Sequence, residues 1–188
     1  MATEESRDVE FTAYVAARGG WLRKVAYLLC ADWHRADDLV QESITKLYLN
    51  WGRASGAENP DGYARRVLVN TFLAEQRTWW WRRTFRGGVT GLEPEQAEGD
   101  LAGSLDLRRA LAGLPARQRA AVVLRYYCDL SVEQTADALG CSVGNVKSQS
   151  SRGLALLRRS LAPGPAPEGP VPEERTAEER SVVTGRGA

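Results

Sequence analysis

Residues 77–83 read Arg-Thr-Trp-Trp-Trp-Arg-Arg, three adjacent indoles with arginine on both sides. Consecutive helical residues point about 100° apart, so three neighbouring indoles cannot share one buried face and at least one must look outward. Aromatic faces stack unpaired bases and arginines hold phosphates, which together suit single-stranded nucleic acid. A second stretch suits duplex DNA. Residues 142–152 offer Ser142, Gly144, Asn145, Lys147, Ser148, Gln149, Ser151 and Arg152. Amides fit adenine edges, hydroxyls fit several bases, and Lys and Arg fit guanine or phosphate. No acidic residue interrupts 143–155, whereas a merely solvated helix face mixes both signs. A third set is an acidic-amide strip: Asp37, Asp38, Gln41, Glu42 and Thr45 recur at helical spacing beside an apolar stripe, a pattern that fits a solvated helix face or one that meets a basic partner.

Enzyme chemistry has little to stand on. His34 is the single histidine and reads as a surface or helix-start residue. The sequence contains no metal-ligand cluster, phosphate loop or nucleophile elbow, so neither catalysis nor a cofactor or metal is expected. Cys30, Cys128 and Cys141 are odd in number and widely spaced, and they read as reduced, small apolar residues.

The elements that must position these residues are helical. Phe11, Tyr14, Val15, Leu22, Val25, Ala26 and Leu29 fall on one face, softened by Gly19 and Gly20. Asp32 is a start signal for a second helix with the stripe Leu39, Val40, Ile44, Leu47, Tyr48 and Trp51. Residues 52–62 read as a loop, and a third helix then turns Tyr63, Val67, Leu68 and Phe72 inward. From 84 to 103 five glycines and a proline erase the apolar period, which predicts a flexible linker. Leu105, Leu107, Leu111 and Leu114 open a second domain. Pro115 starts its next helix, and Val122, Val123, Tyr126 and Tyr127 continue the apolar side.

Ser131 with Gln134 has capping-box spacing, and Val132, Thr135, Ala136 and Leu139 point inward. Gly140 stands where the chain must turn with φ > 0. Ser142 caps a further helix whose inward residues are Val143, Val146 and Leu154. This is a helix-turn-helix pattern, which lays its second helix in the major groove. Ser150 occupies an inward slot that would favour an aliphatic, so loose packing is expected there. The fold class is therefore all-α. Two small helical domains, 8–83 and 104–161, are joined by the linker 84–103 and followed by a Pro/Glu-rich tail, 162–188, expected to be disordered.

Formal net charge is only +1, but its distribution is uneven. Six arginines face one glutamate between 65 and 88, and five glutamates face three arginines after 162. The N-terminus is polar and acidic without an apolar stretch, and no apolar run approaches a membrane span, so a cytoplasmic protein is expected.

The segments ADDLVQESITKLYLNW and LPARQRAAVVLRYYCDLSVEQTADALGCSVGNVKSQSSRGLALLR, in this order, resemble regions 2 and 4 of an extracytoplasmic-function (ECF) sigma factor of the sigma-70 family, most closely the SigE-like group of high-GC actinomycetes. The resemblance covers about 8–161. It implies that residues 36–51 are region 2.2, where Asp37, Asp38, Gln41, Glu42 and Thr45 dock on the β′ clamp helices of core RNA polymerase. It implies that residues 63–83 are region 2.4, where Asn70, Arg77, Trp79, Trp80 and Trp81 meet the −10 element while Arg82 and Arg83 hold its backbone. The preceding loop, with Asn59 and Asp61, resembles the segment that can hold a flipped −10 base. Ala74 and the tryptophans stand where many members carry an aspartate followed by arginines. Residues 106–161 are implied to be region 4, meeting the β flap and reading the −35 element with Ser142, Asn145, Lys147, Ser148, Ser151 and Arg152. Implied partners are core RNA polymerase, promoter DNA and an anti-sigma factor, with no membrane. The alternative, a stand-alone helix-turn-helix regulator binding duplex DNA as a dimer, explains 130–161 but neither the acidic strip nor the basic aromatic segment.

Overall fold

The computed structural model describes residues 2–86 and 102–162, with side chains over 4–78 and 106–162. The greater part of the expected linker and the expected disordered tail, 163–188, lie outside the described residues. Helix α1 spans Ala2–Cys30, unbroken by Gly19 and Gly20, and buries Phe11, Leu22, Val25, Ala26 and Leu29. It ends at Ala31, which takes a positive φ of 59° and returns its N–H to the Tyr27 carbonyl at 2.7 Å. That tight reversal lets Asp32 cap α2, Trp33–Leu49, by accepting the Arg35 N–H at 2.7 Å.

The stretch 52–62 is not one loop. A short helix α3, Trp51–Ser55, follows α2 directly, and α4, Pro60–Arg86, begins before the expected position. Asn59 caps α4: its Oδ1 accepts the Gly62 N–H at 2.7 Å and its carbonyl accepts the Tyr63 N–H at 3.1 Å. Pro60 then fills the first helical position, where a missing N–H costs nothing. The α1–α2–α4 bundle closes over Leu39, Leu47, Leu68 and Phe72, with Phe11 edge-on to Tyr48 and Trp51 at 5.0 and 5.2 Å. Tyr48, expected inward, is 37 % exposed, because its hydroxyl donates to Asp8 at 2.8 Å across the rim.

The second half contains α5 (Ala102–Ala112), α6 (Ala116–Val122), α7 (Val132–Leu139) and α8 (Val143–Leu161). Helix α6 runs on into a π-turn, Val123–Tyr127, where the Cys128 N–H reaches the Val123 carbonyl five residues back at 3.0 Å. A π-turn inserts an extra residue and rotates the downstream residues by roughly 100°. Tyr126 and Tyr127, which the sequence places on the apolar side, are therefore 56 % and 45 % exposed, and Leu124 and Leu130 are buried instead. The capping box is formed in both directions, Ser131 Oγ with the Gln134 N–H at 3.1 Å and Gln134 Oε1 with the Ser131 N–H at 2.9 Å. Gly140 has φ 60°, and the Cys141 N–H closes on the Ala136 carbonyl at 3.0 Å, a Schellman closure.

Helix α8 buries Val146, Ser150, Gly153 and Leu157; Val143 and Leu154 are only half-buried. Ser150 is buried, and its Oγ has no hydrogen-bond partner among the described residues. The lack of a side chain at 153 lets α8 approach α6 until a Cβ at Gly153 would lie 2.7 Å from Val122 Cγ2.

The two halves also pack on each other. One continuous buried cluster runs from Leu29, Leu68 and Phe72 to Ala120, Ala121, Leu124 and Val146. Leu28 of α1 sits against a smaller cluster of Ala110, Leu111, Leu114, Val122 and Leu157.

Candidate nucleic-acid and partner interfaces

Helix α2 buries Ala36, Leu39, Val40, Ser43 and Leu47, which leaves Asp38, Gln41, Glu42 and Thr45 exposed on the opposite face. The Thr45 hydroxyl donates to the Gln41 carbonyl at 3.0 Å, and Glu42 accepts from Lys46 at 2.6 Å. Asp37 lies at the edge of this strip and already has a partner. Arg23 of α1 grips it through Nε at 2.5 Å and Nη2 at 3.0 Å, and this pairing holds its carboxyl below the usual range. Arg23 in turn lies 4.4 Å from the Trp33 ring, which stacks on Tyr27 at 3.9 Å.

Sequence reasoning missed Glu75. It counted only as the lone acid of a basic segment, but α2–α4 packing brings it to Glu42. Burial, then the Glu42 charge, raises its carboxyl above the usual range. The strip thus crosses from α2 onto α4.

On α4 the expected DNA residues divide. Asn59 is the helix cap described above. Asp61 accepts the Tyr14 hydroxyl at 3.1 Å and pairs with Arg18 at 3.2 Å, so both tie α4 to its surroundings. Burial, then the nearby Asp61 charge, pushes the Tyr14 hydroxyl well above its ordinary range. Asn70 and Arg77 are exposed, two turns apart on one face. A cleft of about 480 Å³ between α2 and α4 is lined by Asn70 with Lys46, Asn50, Tyr63, Arg66 and Thr71. Trp79, Trp80, Trp81, Arg82 and Arg83 continue the helix of α4, and their side chains lie outside the described residues.

On α8 the inward residues leave Lys147, Ser151 and Arg152 exposed, with Ser148 and Asn145 half-buried beside them. Ser142 is the N-cap, its Oγ accepting the Asn145 N–H at 3.2 Å. Asn145 Oδ1 accepts from Gln149 Nε2 at 3.3 Å, which steadies the first turns. Arg158 and Arg159 continue the basic edge.

The −10 and −35 candidates are not remote from one another. Asn70 and Arg77 share a groove of about 790 Å³ with Pro115, Gln118, Leu139 and Gln149. Arg66 pairs with Asp137 of α7 at 3.3 Å. Arg119 donates from Nη1 to the Leu29 carbonyl at 2.6 Å, and from Nη2 to the Ala112 and Leu114 carbonyls at 2.7 and 3.0 Å.

The cysteines are free. Cys30 is buried, and burial pushes its thiol up to about 12; Cys128 is half-buried and pushed up to about 11 for the same reason. Among the described residues no group of three His, Cys, Asp or Glu side chains converges on a metal site, and no helix is long and apolar enough to cross a membrane.

Residues 6–82 match the family model described as Sigma-70 region 2, and residues 104–157 match Sigma-70, region 4. The chain is 37 % identical over 161 residues to the RNA polymerase sigma-E factor of Streptomyces coelicolor, covering 81 % of this chain and 86 % of that one. It is 31 % identical over 179 residues to the ECF RNA polymerase sigma factor EcfG of Rhodopseudomonas palustris, covering 88 % and 91 %. The sigma factor RpoE, solved in complex with the anti-sigma factor NepR from Bartonella quintana, superposes with a TM-score of 0.66 at 27 % identity, over 81 % of this chain and 96 % of that one.

Proposed function

This chain belongs to the ECF group of the sigma-70 family of RNA polymerase sigma factors, and from that premise we propose which of its residues do the work. As a sigma factor it binds core polymerase and directs recognition of the −35 and −10 elements and DNA opening. Asp38, Gln41, Glu42 and Thr45, with Glu75, form the surface for a basic polymerase helix, the β′ clamp helices in this family. Asp37 orients α2 against α1 through Arg23. Lys147, Ser148, Ser151 and Arg152 meet the −35 duplex, with Asn145 held toward it by the Ser142 cap. Asn70, Arg77 and the Trp79–Arg83 segment meet the −10 strand, where stacking contributes about 1–3 kcal/mol per base. Asn59 and Asp61 support that surface by fixing the start of α4. Bond making and breaking belong to the polymerase, and the site of action is the cytoplasm. An anti-sigma factor fits the same reading, because the structure of the RpoE relative was solved with one.

The observation that carries this assignment is the pairing of an exposed acidic strip on α2 with an acid-free exposed face on α8. One partner surface is basic and the other is a polyanion. The test is reconstitution with sigma-free actinobacterial core polymerase on a genomic library. Discrete 5′ ends sharing spaced −35 and −10 elements are expected. Asp38→Ala with Gln41→Ala should abolish them by weakening core binding. Normal core binding by that double variant would show that the docking strip lies elsewhere.

A further inference from the structure

We infer that Glu133 is a specificity-determining residue for −35 recognition: an acid lent by α7 to the basic face of α8, it serves as the counter-charge of Lys147, takes away what that lysine would gain from a phosphate, and leaves it to read a base edge. The inference rests on the assignment of α8 to the −35 duplex above.

Helix α8 has no acid of its own between 143 and 155. The fold brings one from a different helix. Glu133 stands in the first turn of α7, exposed to solvent but not loose. Its Oε2 accepts the Ser131 hydroxyl at 2.9 Å, while the same Oγ accepts the Gln134 N–H at 3.1 Å. The helix cap thus also fixes the carboxylate. Arg125 is fixed beside it, because its Nη1 donates to the carbonyl of Leu130, the residue before the cap. The Glu133 backbone N–H, then the Ser131 hydroxyl, hold the carboxyl below the usual range, and the Lys147 and Arg125 charges act in the same direction. Arg125 is anchored by its carbonyl bond. Lys147 projects from α8 as an exposed, flexible four-carbon chain. Asp137, the other acid of α7, is engaged with Arg66.

A lysine is a point charge that any phosphate satisfies, whatever the sequence. In a helix-turn-helix the first helix crosses the DNA backbone while the second enters the groove, so the start of α7 and Lys147 both approach phosphates. With Glu133 beside it, Lys147 already has a counter-charge, and moving to a phosphate exchanges one anion for another. A guanine edge offers O6 and N7 as neutral acceptors, so Lys147 can reach it without leaving the field of Glu133. Specificity is a difference of affinities, and weakening the sequence-independent complex raises it.

The test is transcription by the reconstituted holoenzyme from one mapped promoter and from templates with single-base substitutions across its −35 and −10 elements. Glu133→Gln keeps the side-chain length and an oxygen for the Ser131 hydroxyl and removes the charge. Yields from −35-substituted templates should rise roughly threefold relative to the parent promoter, the scale of an exposed charge pair, with the −10 profile as in wild type. On those −35-substituted templates the slope of log occupancy against log salt should steepen by about 0.9, one phosphate gained. In a Lys147→Ala background the same substitution should change nothing further. A −35 profile left unchanged or sharpened by Glu133→Gln overturns the inference. So does an equal loosening of the −10 profile, or a loosening that persists in the Lys147→Ala background. If Lys147→Ala alone leaves the −35 profile untouched, the placing of α8 on the duplex fails instead, which separates the two failures.

Discussion

Gly153→Ala sets two effects of known size against each other. Within a helix, alanine is more favourable than glycine by about 1 kcal/mol. At position 153, however, the new Cβ would lie 2.7 Å from Val122 Cγ2 and 3.3 Å from the Gln118 carbonyl. Neither obstacle can move aside easily. Val122 is 6 % exposed and packed among Ala110, Leu111, Leu114 and Leu157, and a β-branched side chain in a helix has one strongly preferred rotamer. The carbonyl is fixed in α6. Relief must come from α8 backing away, and overpacking of this kind costs about 1–3 kcal/mol. The clash outweighs the helix preference, for a net loss of up to about 2 kcal/mol and a fall in Tm of up to roughly 8 °C. Gly144→Ala on the same helix is the control. Its Cβ would meet nothing closer than Ser142 Oγ at 4.0 Å, so the helix preference acts alone and Tm should rise. Thermal unfolding by far-UV circular dichroism measures both. A Gly153→Ala protein as stable as Gly144→Ala would refute the close approach of α6 and α8. Since that approach sets where α8 projects, Gly153→Ala should also weaken binding to a −35 duplex.

Lys147→Ala and Arg152→Ala should each weaken −35 binding while leaving core binding intact. A residue that holds a phosphate should lower the slope of log affinity against log salt by about 0.9, whereas one that reads a base should leave the slope and relax sequence preference at one position. Asp37→Asn should show a pH-dependent stability difference from wild type. Arg23 lowers the folded-state pKa of Asp37, so the contribution is fully present above the ordinary carboxylate range of about 4 and is lost as pH falls through the lowered value. Denaturant titrations across acidic pH read this directly, and a difference that persists unchanged at the most acidic pH would show that the carboxylate charge is not the cause.

The candidate site was legible wherever its geometry is local. Ser131 with Gln134, Gly140 and Ser142 each act within a few residues, and the structure holds them as their spacing demands. The exposed rows on α2 and α8 follow for the same reason, since a buried stripe fixes its opposite face. Asn59 and Asp61 carry a structural part that the resemblance does not announce: one caps α4 and the other answers Tyr14 and Arg18, whose proximity no spacing reveals. Tyr126 and Tyr127 illustrate a subtler failure. An ideal period of 3.6 carries them inward, and a single π-turn swings them out.

By itself the sequence determined most of the helices, the caps at Asp32, Ser131 and Ser142, the division into regions 2 and 4, and the sign of charge each surface carries. These depend on backbone hydrogen bonds and periodicities that close within one or two turns. Only the tertiary structure decided that Glu75 joins the α2 strip, that Gly153 lets α8 close on α6, and that Arg119 ties the end of α1 to region 4. Each of these joins residues from different helices. Packing of whole faces sets those distances, and the spacing of residues along the chain does not encode them.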